Sequence, residues 1–174
     1  INVAIIGVGN CASALVQGVA KYANVGSDAD IPGLMHPVLG EYGIGDINFV
    51  GAFDVDINKV GLDLSEAIFA EPNNAVRFHD VAQLGVTVQR GMTHDGIGKY
   101  MSDVVIKAPG PTEDIAKILV DREVDIVVNY LPVGSEEATR WYVEQVLVAR
   151  CGLVNCMPVF IASGEGDYWQ RRFS

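Results

Sequence analysis

The chain has 174 residues, 49% of them apolar, which suits one domain with a sizeable core and excludes a disordered or purely solvating segment. A formal net charge of −10 argues against a nucleic-acid partner, because holding a polyanion requires clustered Lys and Arg. An anionic small molecule stays open, since helix N-termini and Gly-rich turns supply local donors whatever the global charge. Cys11, Cys151 and Cys156 form neither a paired framework nor a metal-ligand spacing, so no metal is expected and a reducing, cytoplasmic location is the default. No apolar run is long enough to span a bilayer, and neither a signal segment nor a membrane partner is expected. The chain begins at Ile1 rather than Met, which suggests a trimmed start or a piece of a longer protein.

Taken in chain order, residues 2–6 are a short apolar run ending at Gly7, the pattern of a fully buried parallel strand. From Ala12, apolar residues at Leu15, Val16, Val19, Ala20 and Ala23 have helical spacing. Residues 24–46, rich in Gly, Asp and Pro, read as a surface excursion. Residues 47–53 form a second strand closed by Asp54, followed by a helix over about 59–69 and a short strand at 86–89. Residues 90–100 lack a period and read as a loop. Pro109 and Pro111 lead into a helix bearing Ile115, Ile118 and Leu119. Residues 124–130 are the strongest strand, residues from Ser135 a helix, and residues 153–156 a last strand. This alternation predicts an α/β fold with a doubly wound parallel sheet.

Gly7-x-Gly9-x-x-Ala12 stands between the first strand and its helix. The first glycine permits the tight turn, the second lets backbone approach a pyrophosphate, and a small third residue lets helix and strand pack closely. Asp54, at the end of the next strand, is placed to accept from the adenosine ribose hydroxyls and to favour NAD over NADP. The usual interval to this acid is about 20 residues, so the excursion at 24–46 weakens the match. Capping of the following helix is a competing role for Asp54, and Asp56 fits that role equally well. The loop Asn129-Tyr-Leu-Pro132-Val-Gly-Ser135 follows the strongest strand, and such loops face ligands in open α/β sheets. Ser135 alternatively serves as a helix N-cap. His36, His79 and His94 read as surface residues. Arg90 and Lys99 flank a Gly-rich loop where a phosphate or solvent would meet them. Cys11 lies at a helix N-terminus, where a thiolate is favoured, but equally suits packing. Asp63 and Ser65 open what reads as a helix start.

Together, Ile5–Ser13, Leu15-Val-Gln-Gly18, Pro32-Gly-Leu-Met-His36, Ala52-Phe-Asp-Val-Asp56, Val88-Gln-Arg-Gly91, Asp95–Tyr100, Tyr130–Glu137 and Pro158–Ser163 resemble the inositol-3-phosphate synthases of the actinobacterial and archaeal type. The resemblance implies a Rossmann-like NAD-binding domain over residues 1–163. Residues 164–174 would begin a segment leading to the catalytic and oligomerisation part. It implies isomerisation of glucose 6-phosphate to 1L-myo-inositol 1-phosphate through oxidation, enolisation, intramolecular aldol cyclisation and reduction, with NAD regenerated. It places Gly9, Asn10, Cys11 and Ala12 along the pyrophosphate and Asp54 near the ribose. It adds Asp63 and Tyr142 as NAD contacts, although Tyr142 also falls on the apolar face of its helix. The family's full chain is about twice as long, forms a homotetramer and carries its catalytic lysines in the other half. No catalytic residue is therefore expected in this stretch, and the piece alone is expected to be inactive.

Two other readings stay open. A simple NAD-dependent dehydrogenase of a small phosphorylated or amino-acid substrate would accumulate NADH. A non-catalytic NAD-binding module would bind cofactor and do nothing further.

Overall fold

In the computed structural model, which describes residues 1–26, 30–97, 101–163, 166 and 168–174, the chain alternates strands and helices. The first part runs β1 (Asn2–Ile6), α1 (Asn10–Tyr22), β2 (Val38–Leu39), β3 (Tyr42–Gly43), a 3-10 turn (Ile44–Asp46) and β4 (Asn48–Asp54). The remainder runs α2 (Leu64–Ala67), β5 (Val88–Arg90), α3 (Ile115–Asp121), β6 (Ile126–Asn129), α4 (Glu136–Ala149), β7 (Gly152–Asn155) and α5 (Tyr168–Phe173).

Val3, Ala4, Ile5 and Ile6 are all buried because β1 lies at the centre of a sheet covered on both faces. Side chains alternate along a strand. Val3 and Ile5 therefore pack with Ala12 and Val16 of α1 and Leu64 and Ala67 of α2. Ala4 and Ile6 meet Ile115 and Leu119 of α3 and Tyr142 and Val146 of α4 on the opposite face. The five strands are parallel, in the order β5-β4-β1-β6-β7. This is the doubly wound, Rossmann-type arrangement, and the direction of winding reverses between β1 and β6. The carboxyl ends of those two strands part there and leave a crevice.

The excursion at 24–46 holds the small antiparallel pair β2–β3 and the 3-10 turn, outside the main sheet. The helix expected over about 59–69 is reduced to the single turn α2. The reason is tertiary: the Gly61 N–H donates to Val88 O, the Leu64 N–H to Val86 O, and Leu62 O accepts from the Val88 N–H. With Gly61 at φ +93° ending a turn, residues 62–63 run beside β5 and the chain coils only from Leu64. The C-terminal residues Tyr168–Phe173 form α5. Trp169 packs on the cluster of Val143, Met157, Val159 and Ile161, and Arg172 pairs with Glu144. Among the described residues, no helix is long and apolar enough to cross a membrane, and no group of His, Cys, Asp or Glu is arranged to hold a metal ion.

Candidate functional site

The turn between β1 and α1 requires its first glycine for internal reasons. Gly7 has φ +85°, and a Cβ there would lie 2.9 Å from the Tyr130 carbonyl oxygen, at the neighbouring strand end. Gly9 differs. It is the N-cap of α1 with ordinary extended backbone, and a Cβ built on it meets no protein atom within 4 Å. Nothing in the protein forbids a side chain at Gly9, so the space over it is open to a ligand. The N-terminus of α1 has no side-chain cap and no acidic residue in its first turn, which leaves its amide donors and partial positive charge uncompensated.

Neighbouring elements clamp the turn. The Val8 N–H donates to Asp54 Oδ2 at 2.7 Å, and the Val8 carbonyl accepts from Asn73 Nδ2 at 3.0 Å. Asp54 Oδ1 accepts from the N–H groups of Val55 (2.7 Å) and Asp56 (3.0 Å). A carboxylate has about four acceptor positions, so one remains for a ribose hydroxyl. Asn10 is bound to the same distant segment as Asn73: its Oδ1 accepts from the N–H groups of Asn74 and Ala75, both at 2.9 Å, and its Nδ2 donates to Asn74 Oδ1 at 2.7 Å.

Above the turn lies a cavity of about 430 Å³, within the range of small-molecule sites. Gly7, Gly9, Asn10, Cys11, Asp54, Pro132 and Tyr142 line it, so seven of the ten residues singled out in the sequence converge here. Asp56, Gly96 and Ile97, from segments the resemblance covers, also line it, as do Lys59, Asn73, Asn74, Met92 and Thr93, which carry no sequence signal. Their convergence is tertiary, and no local period or motif encodes it. Ala12 is buried beneath the turn as the small packing residue.

Asp63 and Ser135 lie outside the cavity lining. Asp63 is the N-cap of α2: its Oδ1 accepts from the Ser65 N–H and hydroxyl and the Leu84 N–H, and its Oδ2 from the Val86 N–H. Burial opposes its charge, but these donors outweigh that and hold its carboxyl below the usual range. Ser135 occupies the N-cap position of α4, yet its side chain makes no capping bond and its buried hydroxyl has no partner. Asp95 serves that helix instead, accepting from the N–H groups of Glu137 and Ala138 at 2.9 Å each. The cap thus comes from 42 residues away and ties the 91–97 loop across the site.

Tyr142 takes the core role anticipated for it and also lines the cavity. Its ring belongs to the core, 2% exposed, while its hydroxyl reaches the cavity wall and accepts from the Met92 N–H at 2.9 Å. Burial pushes its pKa well up, and the negative charge of Asp54 adds to this. Gly91 leaves room for the hydroxyl, since a Cβ at that position would collide with it. Arg90 is turned inward, its Nε donating to the Ala108 carbonyl and its Nη1 to the Gly91 carbonyl. Cys11 and His36 and His94 are exposed, and His79 is half-buried. Lys99 lies outside the described residues.

The chemistry of this donor set fits a dinucleotide: open space over an uncapped helix N-terminus for a diphosphate, and a carboxylate at the next strand end for a ribose. No family model matches the chain. It is 52% identical over 173 residues to an inositol-3-phosphate synthase of Mycolicibacterium smegmatis, a match covering 99% of this chain and 47% of that protein. The inositol-3-phosphate synthases of Mycobacterium tuberculosis and Corynebacterium glutamicum are 49% and 45% identical over 174 residues, again covering 47% of each. The chain therefore spans about half the length of the curated relatives it matches. The crystal structure of Ari2 superposes with a TM-score of 0.81 at 31% identity, covering 99% of this chain and 50% of that one. A myo-inositol-1-phosphate synthase-related protein from Thermotoga maritima superposes with a TM-score of 0.62 at 20% identity, over 99% of this chain and 50% of that one, and shares the fold.

Proposed function

We propose that this chain, a homologue of the inositol-3-phosphate synthases along its whole length, is the NAD-holding part of an enzyme that isomerises glucose 6-phosphate to 1L-myo-inositol 1-phosphate. The observation that carries the reading is Gly9. It opens a helix N-terminus that has no side-chain cap, at the switch point of a doubly wound sheet, where the open space a Cβ would fill suits close approach of a ligand.

On this reading the amide groups of Gly9, Asn10, Cys11 and Ala12 bind the diphosphate. Asp54 accepts from an adenosine ribose hydroxyl, and its charge disfavours a 2′-phosphate. Pro132, Leu131 and Met92 give the cavity an apolar wall. Tyr142 fixes the Met92 backbone and so the loop that roofs the site. Asp63 supports the site from outside by holding the 84–86 segment, and Asp95 does so by holding the start of α4. When bound, NAD supplies a hydride acceptor that later returns the hydride. Residues 1–163 form the cofactor domain, and residues 164–174 lead towards the part bearing the catalytic groups. The complete enzyme is a homotetramer working in the cytoplasm, with glucose 6-phosphate as its small-molecule partner.

Incubation of the chain with NAD and glucose 6-phosphate tests this. The expected result is NAD binding without net NADH. Steady NADH accumulation with the sugar phosphate would favour a dehydrogenase instead.

A further inference from the structure

One charged group in the cavity has no role in the dinucleotide fingerprint. Lys59 is only 4% exposed, lines the cavity beside Asp56, and makes no ion pair among the described residues. Among the described residues its ammonium donates to a single oxygen, Asn73 Oδ1, at 2.9 Å. An ammonium taken out of water with one neutral partner is poorly compensated, and such groups are normally met by a counter-charge. Neither carboxylate nearest in sequence forms an ion pair with Lys59, although the buried Asp56 Oδ2 in the same cavity has no hydrogen-bond partner among the described residues. Asp54 is committed to the turn and to its own backbone, and Asp56 Oδ1 accepts from the Asn58 N–H.

Asn73 decides where that charge acts. Its Nδ2 donates to the carbonyls of Val8 (3.0 Å) and Ile68 (3.1 Å), which fixes the amide plane and leaves Oδ1 for Lys59. The ammonium is thus held, through one rigid side chain, against the Gly-rich turn itself. Among the described residues, two of its three N–H donors have no acceptor and face the space beside the turn.

We propose that Lys59 is a cofactor-binding residue, supplying from the β4–α2 connection the positive charge that meets the dinucleotide's diphosphate, with Asn73 as its positioning residue. In a chain of net charge −10, this local cation and the end of α1 together make the site attractive to an anion. The inference rests on the cofactor reading given above, but it concerns the phosphates alone.

The test is calorimetric titration of the unaltered chain and of Lys59→Met with NAD, ADP and adenosine. Lys59→Met should weaken NAD and ADP by roughly 10- to 100-fold, the worth of a charge-assisted contact, while adenosine binding changes less than about twofold. An equal loss for adenosine and ADP, or no loss for either, would overturn the role of Lys59 and leave the cofactor reading standing. If the unaltered chain binds neither NAD nor ADP, the cofactor reading falls and this inference with it. Should Lys59→Met fail to fold, two measurements decide instead. Lys59→Gln should show the same split between ADP and adenosine. Amine acylation of the unaltered chain, followed by mass spectrometry with exposed Lys117 as reference, should show Lys59 shielded by ADP but not by adenosine. Equal labelling under both ligands would contradict the proposal.

Discussion

Asp54 and Val8, 46 residues apart, are joined by a 2.7 Å hydrogen bond from the Val8 N–H to the Asp54 carboxylate, linking the end of β4 to the Gly-rich turn after β1. The acid expected to read the ribose therefore also shapes the turn that receives the diphosphate. Replacing Asp54 with Ala leaves the N–H groups of Val8, Val55 and Asp56 without their acceptor. Stability should fall by about 1–3 kcal/mol in urea unfolding, the usual cost of a partly buried unpaired donor. NAD binding should weaken, and the preference for NAD over NADP should disappear. A preserved preference in Asp54→Ala would separate the acid from cofactor choice.

The two glycines of the turn should behave in opposite ways. Gly7→Ala forces a left-handed residue and presses a methyl group against the Tyr130 carbonyl, so thermal unfolding should reveal a loss of about 1–3 kcal/mol. Gly9→Ala meets open space and should leave stability within about 0.5 kcal/mol of the parent. Its effect should appear in NAD affinity alone. Normal NAD affinity in Gly9→Ala would mean that the space above it is not where the cofactor lies.

Tyr142 makes stability sensitive to alkali. Burial, with the charge of Asp54 added, raises its pKa in the folded state above the ordinary value of about 10. The stabilisation is then fully present below that ordinary value and is lost as pH rises beyond it, because only the unfolded chain can ionise. Unfolding free energy should fall from about pH 10 upward with a slope approaching 1.4 kcal/mol per pH unit. Tyr142→Phe should flatten that slope, and should cost about 1–3 kcal/mol at neutral pH by leaving the Met92 N–H without an acceptor. A slope unchanged in Tyr142→Phe would assign the alkaline transition to another group.

Asp95 and Ser135 divide a cap in an unexpected way. Asp95→Ala should destabilise by about 0.5–2 kcal/mol, as loss of an N-cap does, whereas Ser135→Ala removes a hydroxyl with no partner and should be neutral or slightly stabilising. Burial works against the Asp95 charge, but the N–H donors of Ala138 and Glu137 prevail and hold its carboxyl low. Its contribution is present above about pH 4 and is lost as pH falls through the depressed value. A melting series from pH 6 to about pH 2 should therefore converge for Asp95→Ala and the parent; a constant gap would indicate a packing effect.

These residues also mark what could be read without coordinates. The strand Asn2–Ile6, the glycines of the turn and the helix behind them are encoded locally, by an apolar run, a positive-φ position and a helical period. Asp54 is legible because it closes a strand, and Tyr142 through family resemblance. The helix expected over about 59–69 failed because apolar spacing cannot register that Gly61 to Leu64 would hydrogen-bond to the segment before and within β5. Ser135 has the position of a cap, while the working cap, Asp95, sits 42 residues upstream of the Glu137 N–H it accepts from, with no local sign of its purpose. Lys59 and Asn73 escaped for the same reason. Each is unremarkable in its own segment, and only the fold sets them against Val8.

The most direct test of the cofactor assignment is calorimetric titration of the unaltered chain with NAD, then with NADP under the same conditions. The account predicts saturable one-to-one binding of NAD and distinctly weaker binding of NADP, because Asp54 faces the adenosine ribose. No binding of NAD, or NADP binding as tight or tighter, would contradict it.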